Sequence, residues 1–220
     1  MDSISGDPSP AKPPRVGPLP VREWDQGVVA SLHEGCRLLP ASMVTALQAD
    51  ELSTLGALLP NSLSTLLRHP RLAGPLMAYL AAILRDSTLD LRSRELLILR
   101  AVVRTGFDYE WLWHVYGAAQ RGITPEELLA LTDAGTGQWV AHERDLLDAV
   151  DQLVDAYAID EATWVRLESH LTERQLVEVP LIVGAYVGLA MTLRSFRIQP
   201  DELVAAIDAP PIPALWRAHP

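Results

Sequence analysis

Two carboxylates and one imidazole, Glu95, Glu110 and His114, are the side chains of this sequence best suited to proton-transfer chemistry. Glu95 interrupts a run that is otherwise almost entirely apolar, and burial of a carboxyl group raises its pKa toward the range of a general acid or base. Glu110 precedes His114 by four residues, which places the two within side-chain reach on a helix. A histidine carries protons near neutral pH because its unperturbed pKa is about 6.5. These three residues therefore predict acid–base catalysis.

Each of these residues also has a purely structural interpretation. Glu95 could form an ion pair with Arg92, about one turn earlier, or with the later Arg174. His114 could be a core histidine that is satisfied by a backbone carbonyl group. Glu110 could serve only to orient and charge His114, or it could itself be the reactive acid. The residues alone leave both roles of Glu110 open.

The same segment supplies candidate substrate contacts. Aromatic residues crowd it, and although most are expected to pack in the core, two of them could wall a pocket for a flat or cyclic organic ligand. An arginine on the first helix could bind a substrate carboxylate, although solvent-facing salt bridges are the simpler explanation. The candidate substrate-binding residues are Tyr109, Trp111, Trp113 and Arg100.

Two predicted helices must position these side chains. The first runs from about Asp90 to Thr105, and its lack of a polar face indicates burial on most sides. The second runs from about Asp108 to Arg121, with Asp108 as its N-cap residue and Gly122 as its C-terminal stop. The apolar stripe of the second helix turns His114 inward.

Three groups of residues in and after these helices form a distinctive pattern. They are Arg94-Glu95 followed by Leu-Leu-Ile-Leu, Tyr109-Glu110-Trp111 with His114, and Ala118 with Gly122-Ile-Thr-Pro-Glu-Glu. Together they resemble the carboxymuconolactone decarboxylase and alkylhydroperoxidase-D (AhpD-like) superfamily, over roughly Pro70 to Pro200. The resemblance implies an all-α, AhpD-like helical bundle that assembles as a homo-oligomer (dimer, trimer or hexamer). It also implies a proton relay through Glu95 and His114.

The peroxidase branch of that superfamily carries Cys-x-x-Cys-x-x-x-His on its second helix. Alignment on His114 puts the two cysteine positions at Phe107 and Glu110, so both cysteines are absent here. The single cysteine of the chain, Cys36, lies outside the motif. The resemblance therefore implies a branch without the cysteine pair.

Composition narrows the class of protein further. The 220 residues are 49% hydrophobic with a net charge of −10, which suits a globular chain and argues against nucleic-acid binding, since no basic cluster could displace phosphate counterions. The single cysteine and the absence of an apolar leader segment predict a cytoplasmic protein. The uncharged run from Val179 to Leu193 is shorter than the roughly 20 residues of a membrane span. No membrane partner is expected.

No alternating strand pattern is present, so the predicted fold class is all-α. We predict a disordered or extended proline-rich arm at residues 1–20, a single domain at 21–208 and an extended proline-rich tail at 209–220. The stretch from 38 to 59 is ambiguous, and a loop is predicted around Gly135 and Gly137. Further helices are predicted from Pro70 to about Arg85, from Trp139 to about Tyr157 and from Thr172 to about Arg197.

Three hypotheses about function remain. The first is a cofactor-free acid–base enzyme, a lyase or isomerase, that acts on a small cyclic or carboxylated metabolite by decarboxylation, isomerisation, elimination or ring opening. The second is a non-catalytic, ligand-binding or assembly member of the same fold. The third, a thiol peroxidase, is disfavoured by the missing cysteines. No metal is expected because Glu110 and His114 lack a third ligand in a recognisable motif, and no nucleotide-binding fingerprint supports another cofactor.

Overall fold

The computed structural model describes residues 12–132 and 139–213, and within these ranges the chain forms helices and no β-strand. The predicted all-α class is confirmed. The α-helices, in chain order, are α1 Gln26–Glu34, α2 Ala41–Gln48, α3 Leu52–Leu58, α4 Asn61–Leu66, α5 Pro70–Arg85, α6 Leu91–Arg104, α7 Asp108–Gly117, α8 Pro125–Thr132, α9 Ala141–Ala156, α10 Glu161–Glu168, α11 Glu173–Phe196 and α12 Glu202–Ala205.

Helix α6 is the centre of the fold. It begins after Asp90, whose carboxylate accepts hydrogen bonds from the backbone N–H groups of Arg92 and Ser93 at 3.0 and 2.9 Å. From Ser93 to Arg104 every residue is buried, which agrees with the missing polar face in the sequence. Helices α7, α9 and α11 pack around α6. A side chain on α6 from Ser93 onward can therefore act only within the protein interior.

Helix α7 begins at Asp108 as predicted, but its N-cap residue and its C-terminal end differ from the prediction. Phe107 occupies the N-cap position, and Asp108 is the first helical residue, so the predicted Asp108 cap is wrong. The α-helix ends at Gly117, and a 3-10 turn over Ala119–Arg121 follows. Gly122 then ends the turn with a φ of 75°, in the left-handed region that glycine adopts without strain. The predicted stop at Gly122 is correct.

The chain before α6 builds a second hydrophobic core, distinct from the one around α6, α9 and α11. The ambiguous stretch from 38 to 59 supplies helices α2 and α3. Met43 and Leu55 of these helices cluster with Leu32 of α1 and Met77 of α5. The stretch is therefore a structural layer of the protein, and a cavity lies where the two cores meet.

Parts of the two predicted arms fall within the described residues. Residues 12–20 lie against the surface, where Arg68 donates hydrogen bonds to the carbonyl oxygens of Gly17 and Pro18 at 2.6 and 3.0 Å. Near the other end, Trp111 Nε1 donates to the carbonyl oxygen of Pro210 at 2.7 Å. Residues 1–11 and 214–220, and the loop predicted at residues 135 and 137, lie outside the described part.

Helix α11 is long and apolar enough to cross a membrane by length and composition, and 44% of its most apolar window is buried. It packs against α5, α6 and α9, and the core helix of a soluble protein passes the same test. Its outer face leaves Val177, Leu181 and Met191 exposed, and open space surrounds Gly184 and Gly188. The homo-oligomer stays a prediction, and this apolar stripe is the face that a second copy would cover.

We expect light scattering at micromolar concentration to give at least the mass of a dimer, because association would remove the apolar stripe of α11 from water. The double substitution Leu181→Glu and Met191→Glu should lower the mass to that of one chain, 24.1 kDa. Val165→Glu, at an exposed valine of α10, is the matched control and should leave the mass unchanged. A mass of 24.1 kDa for the unmodified protein would contradict the prediction.

Candidate functional site

Glu95 of α6 and His114 of α7 are in direct contact. Glu95 Oε1 lies 2.7 Å from His114 Nδ1, and the Glu95 side chain is 0% exposed. A carboxylate at this distance favours a proton on Nδ1 and leaves Nε2 on the far side of the ring to exchange protons with another group. The pair therefore has the geometry of an oriented, carboxylate-supported imidazole.

The arginine partners considered for Glu95 in the sequence do not reach it. Arg92 pairs instead with Glu143 at 2.6 Å, and Arg174 is exposed. The arginine at Glu95 is Arg121, whose Nη1 lies 3.2 Å from Glu95 Oε1. Glu95 Oε2 has no hydrogen-bond partner among the described residues. The carboxylate is therefore paired through one oxygen and incompletely satisfied through the other.

Glu110 lies on the other side of the imidazole. Its Oε2 is 3.7 Å from His114 Nε2, and 14% of its side chain is exposed. Burial raises the pKa of the Glu110 carboxyl group above its ordinary value; the charge of His114 opposes this effect, and that of Asp201 adds to it. Glu110 consequently keeps its proton to a higher pH than a glutamate on the surface does, and as a carboxylate it is a stronger base.

Glu110 and His114 face a cavity of about 340 Å³. Its wall is mainly aliphatic and comes from both hydrophobic cores. Helix α5 contributes Leu80 and Leu84, and α11 contributes Leu189 and Leu193. The segment before α5 contributes Leu38, Leu39, Pro40, Met43, Pro60, Leu63 and Leu66. Charges act more strongly on one another in such an apolar enclosure than they do in water. The cavity is thus a suitable place for proton transfer to or from an organic molecule.

Tyr186 and Arg121 also line the cavity, although the sequence did not single them out. The Tyr186 ring packs edge-on against His114 with 5.1 Å between ring centroids. Burial raises the pKa of Tyr186 well above its ordinary value, so the phenol stays neutral. Arg121 follows His114 by seven residues, a spacing that returns to the same face of a continuous helix. That spacing is the signal by which Arg121 could have been found, whereas Tyr186 has no comparable local signal.

Asp201, another residue without a sequence signal, fixes one wall of the cavity. Its carboxylate accepts hydrogen bonds from Tyr109 Oη at 2.5 Å, from Trp113 Nε1 at 3.0 Å and from the backbone N–H of Asn61 at 2.8 Å. The backbone N–H of Ser62 donates to Tyr109 Oη at 3.1 Å. These bonds tie α4 and α7 together and hold Trp113 in place.

The four candidate substrate-binding residues separate in space. Trp113 lines the cavity, whereas Tyr109 and Trp111 are buried in the packing around it, with their polar atoms hydrogen-bonded. Arg100 points to α9, where its guanidinium forms two 2.7 Å hydrogen bonds with the carboxylate of Asp151. The structure therefore does not bring Arg100 to the cavity, and its expected contact with a substrate finds no support in this position.

The two positions that the resemblance assigns to cysteines lie in different surroundings. Phe107 is buried in the main core, and Glu110 faces the cavity. At the position nearer His114 a carboxyl group therefore takes the place of a thiol. Within residues 12–132 and 139–213, no group of three or more His, Cys, Asp or Glu side chains is arranged to hold a metal ion.

Comparisons with known proteins agree with this architecture. Residues 70–152 match the model of the carboxymuconolactone decarboxylase family, and this segment contains Glu95, Glu110 and His114. A comparison with curated protein sequences finds no match.

Among solved structures, a peroxidase-related protein from a Silicibacter species is similar with a TM-score of 0.66 at 17% identity, over 91% of this chain and 98% of that one. An Agrobacterium tumefaciens protein of unknown function, named as a candidate antioxidant defence protein AhpD, gives 0.58 at 20% identity over 62% and 94%. A peroxidase-related protein with an AhpD core from Ralstonia eutropha gives 0.55 at 16% identity over 88% and 96%. At these identities the structures establish the fold alone.

Proposed function

We propose that the chain is a cofactor-free acid–base enzyme of the carboxymuconolactone decarboxylase and AhpD-like superfamily, because residues 70–152 match the carboxymuconolactone decarboxylase family and the fold is similar to AhpD-like structures. Its substrate would be a small cyclic or carboxylated metabolite that undergoes decarboxylation, isomerisation, elimination or ring opening. One observation carries the proposal: the two ring nitrogens of His114 lie 2.7 Å from Glu95 and 3.7 Å from Glu110, and His114 and Glu110 face an aliphatic cavity.

In the proposed mechanism Glu110 is the base and His114 is the acid. The Glu110 carboxylate takes a proton from the substrate, and imidazolium Nε2 gives a proton to the oxygen or carbon atom that develops negative charge. Glu95 touches no substrate; its negative charge stabilises the imidazolium and its hydrogen bond orients the ring. After the reaction Glu110 is protonated and His114 is neutral, and transfer of one proton across the gap between them restores the starting state. A positioned acid or base of this kind contributes about 10²–10⁴-fold to a rate.

A ring-opening probe tests this mechanism without knowledge of the natural substrate. A base removes the C3 proton of 5-nitrobenzisoxazole, the N–O bond breaks, and the coloured cyanophenolate is released. The bicyclic probe is small and apolar enough for a cavity of about 340 Å³. We expect the unmodified protein to accelerate this reaction and His114→Asn to lose most of the acceleration. Equal rates for the two proteins would contradict the proposal.

The second candidate is a ligand-binding protein without catalysis, and the predominantly aliphatic wall of the cavity favours it. An apolar cavity binds organic molecules whether or not a reaction follows. The two candidates differ in the probe experiment, because saturable binding of the benzisoxazole without cyanophenolate release would support binding alone.

We expect the Cys36→Ser variant and the unmodified protein to turn over the benzisoxazole probe at the same rate and to show no difference in peroxide reduction. A two-thiol peroxidase needs an attacking and a resolving sulfur at short range, and the one cysteine of the chain lies outside the cavity lining. Dithiothreitol-dependent hydrogen peroxide consumption by both proteins provides the measurement. Thiol-dependent consumption that disappears in the serine variant would restore the peroxidase hypothesis.

A further inference from the structure

The guanidinium of Arg121 is the cationic group in the cavity lining. Its side chain is 31% exposed. Among the described residues, the guanidinium donates one hydrogen bond, from Nη1 to Glu95 Oε1 at 3.2 Å. A guanidinium has five N–H donors in a rigid fork. Most of these donors are therefore available to an acceptor that a bound molecule brings into the cavity.

Gly117 provides the space in which this guanidinium lies. A Cβ atom at Gly117 would overlap Arg121 Nη1 and would approach Cζ to 2.8 Å and Nη2 to 3.0 Å. The guanidinium is thus seated directly on the backbone of the last turn of α7. Any larger residue at this position would therefore force the guanidinium to shift from its observed place.

The carboxylate beside Arg121 satisfies the guanidinium only in part. Glu95 divides one oxygen, Oε1, between His114 at 2.7 Å and Arg121 at 3.2 Å. Arg94, which is 6% exposed, forms no ion pair within the described part of the chain and does not compete with Arg121 for a bound anion at the cavity wall. Glu110 and Asp201 add negative charge on the other side of His114. The attraction for an anion therefore comes from the open donors of Arg121 and not from a net charge of the cavity.

We infer that Arg121, seated on Gly117, is an anion-binding subsite, and that the cavity takes an amphipathic monocarboxylate. The planar carboxylate would bind the guanidinium fork, which matches it in geometry, and the apolar chain or ring would lie among the leucines of the wall. A phosphate monoester, with nearly two negative charges, would be repelled more strongly than a carboxylate by the nearby Glu95 and Glu110. The inference rests on the proposed function, since it names the class of substrate for the same cavity.

Isothermal titration of the full chain with three probes tests the inference: octanoate, its neutral isostere octanamide, and acetate. Octanoate should bind about 10–100-fold more tightly than octanamide, because a hydrogen bond to a charged group contributes more than a neutral one. Acetate, which lacks the apolar body, should bind at least about 100-fold more weakly than octanoate. Equal affinity for octanoate and octanamide, or no binding of octanoate at millimolar concentration, would overturn the inference.

Two variants test whether the guanidinium of Arg121 binds the carboxylate of octanoate. Arg121→Gln and Gly117→Ala should each weaken octanoate binding about 10–100-fold and leave octanamide binding unchanged. Gly117→Ala should keep or raise the melting temperature, because alanine favours a helix and a flexible side-chain end can move away. Gly184→Ala, a glycine-to-alanine change in open space on α11, is the matched control and should leave binding unchanged. Octanoate affinity that is unaffected by Gly117→Ala would sink the subsite.

The two proposals fail separately. Octanoate that binds through Arg121 in a protein that never turns over the benzisoxazole probe would overturn the acid–base function and keep the subsite. Probe turnover that depends on His114, in a protein with no preference for octanoate over octanamide, would overturn the subsite and keep the acid–base function.

Discussion

Glu95→Gln is expected to lower turnover of the benzisoxazole probe by about 10²–10⁴-fold, the range for loss of a positioned acid or base. In the unmodified protein His114 Nδ1 lies 2.7 Å from Glu95 Oε1. The amide keeps the shape of the side chain, and its oxygen can still accept a hydrogen bond from Nδ1. It lacks the negative charge that stabilises the imidazolium. His114 therefore loses most of its capacity as an acid while it keeps its orientation.

Thermal stability separates this role from a scaffolding role. Glu95 is 0% exposed and its Oε2 has no partner among the described residues, so the cost of burying its charge is incompletely compensated. Arg121 is 31% exposed, and water can therefore solvate its guanidinium once the carboxylate is gone. We accordingly expect the melting temperature of Glu95→Gln to hold or rise.

Glu143→Gln is the matched control. Glu143 is also a buried carboxylate, with 7% of its side chain exposed, and it pairs with Arg92 at 2.6 Å away from the cavity. Both oxygens of Glu143 have partners, since Oε1 pairs with Arg92 and Oε2 accepts a hydrogen bond from the backbone N–H of Val140 at 3.3 Å, whereas Glu95 Oε2 has none among the described residues. Replacement of Glu143 should therefore lower the melting temperature and should leave turnover per folded molecule unchanged. If Glu95→Gln instead behaved like Glu143→Gln, with lost stability and unchanged specific activity, Glu95 would be a structural residue.

The sequence predicts the helix pair and the side chains that meet between its helices well because their signals are local. The apolar run of α6, the glycine at 122 and the four-residue spacing from Glu110 to His114 all depend on neighbouring residues. Such signals report helix formation and which side chains share a face. Contact between Glu95 and His114 follows once the two helices pack, and the resemblance to a known superfamily already implied that packing.

The remaining parts of the site depend on packing between distant segments. Arg100 has the charge expected of a residue that binds a substrate carboxylate, but its side chain points to Asp151 of α9. No pattern near Arg100 in the sequence reveals this partner. Tyr186 comes to the cavity from α11, Asp201 holds Trp113 at the cavity from just before α12, and the stretch from 38 to 66 supplies about half of the wall. Hydrophobic periodicity identifies a buried face but does not say which other face will cover it.

Glu110→Gln is expected to lower probe turnover by about 10²–10⁴-fold because it removes the base. It should also abolish the part of the pH–rate profile in which kcat/KM rises with pH. In the unmodified protein kcat/KM should rise at a pH above the ordinary pKa range of a glutamate, since burial raises the pKa of Glu110. The apparent pKa of this rise belongs to Glu110 and His114 as a coupled pair. Glu110→Asp keeps a carboxylate with a shorter reach, and it should keep the rise at a lower rate.

The stability of Glu110→Gln should depend on pH in one direction. A raised pKa in the folded state means that the folded protein binds this proton more tightly than the unfolded chain does. The unmodified protein therefore loses free energy of unfolding as the pH rises from the ordinary glutamate value through the raised pKa, whereas the amide loses none. The melting temperatures of both proteins should be measured from acidic to weakly alkaline pH. The melting temperature of the variant minus that of the unmodified protein should increase between the ordinary glutamate pKa and the raised pKa, and it should stay constant at higher pH. A relative gain that shrank with pH would mean that pairing with His114 stabilises the ionised Glu110 and lowers its pKa, and this result would contradict the raised basicity that the proposed mechanism requires.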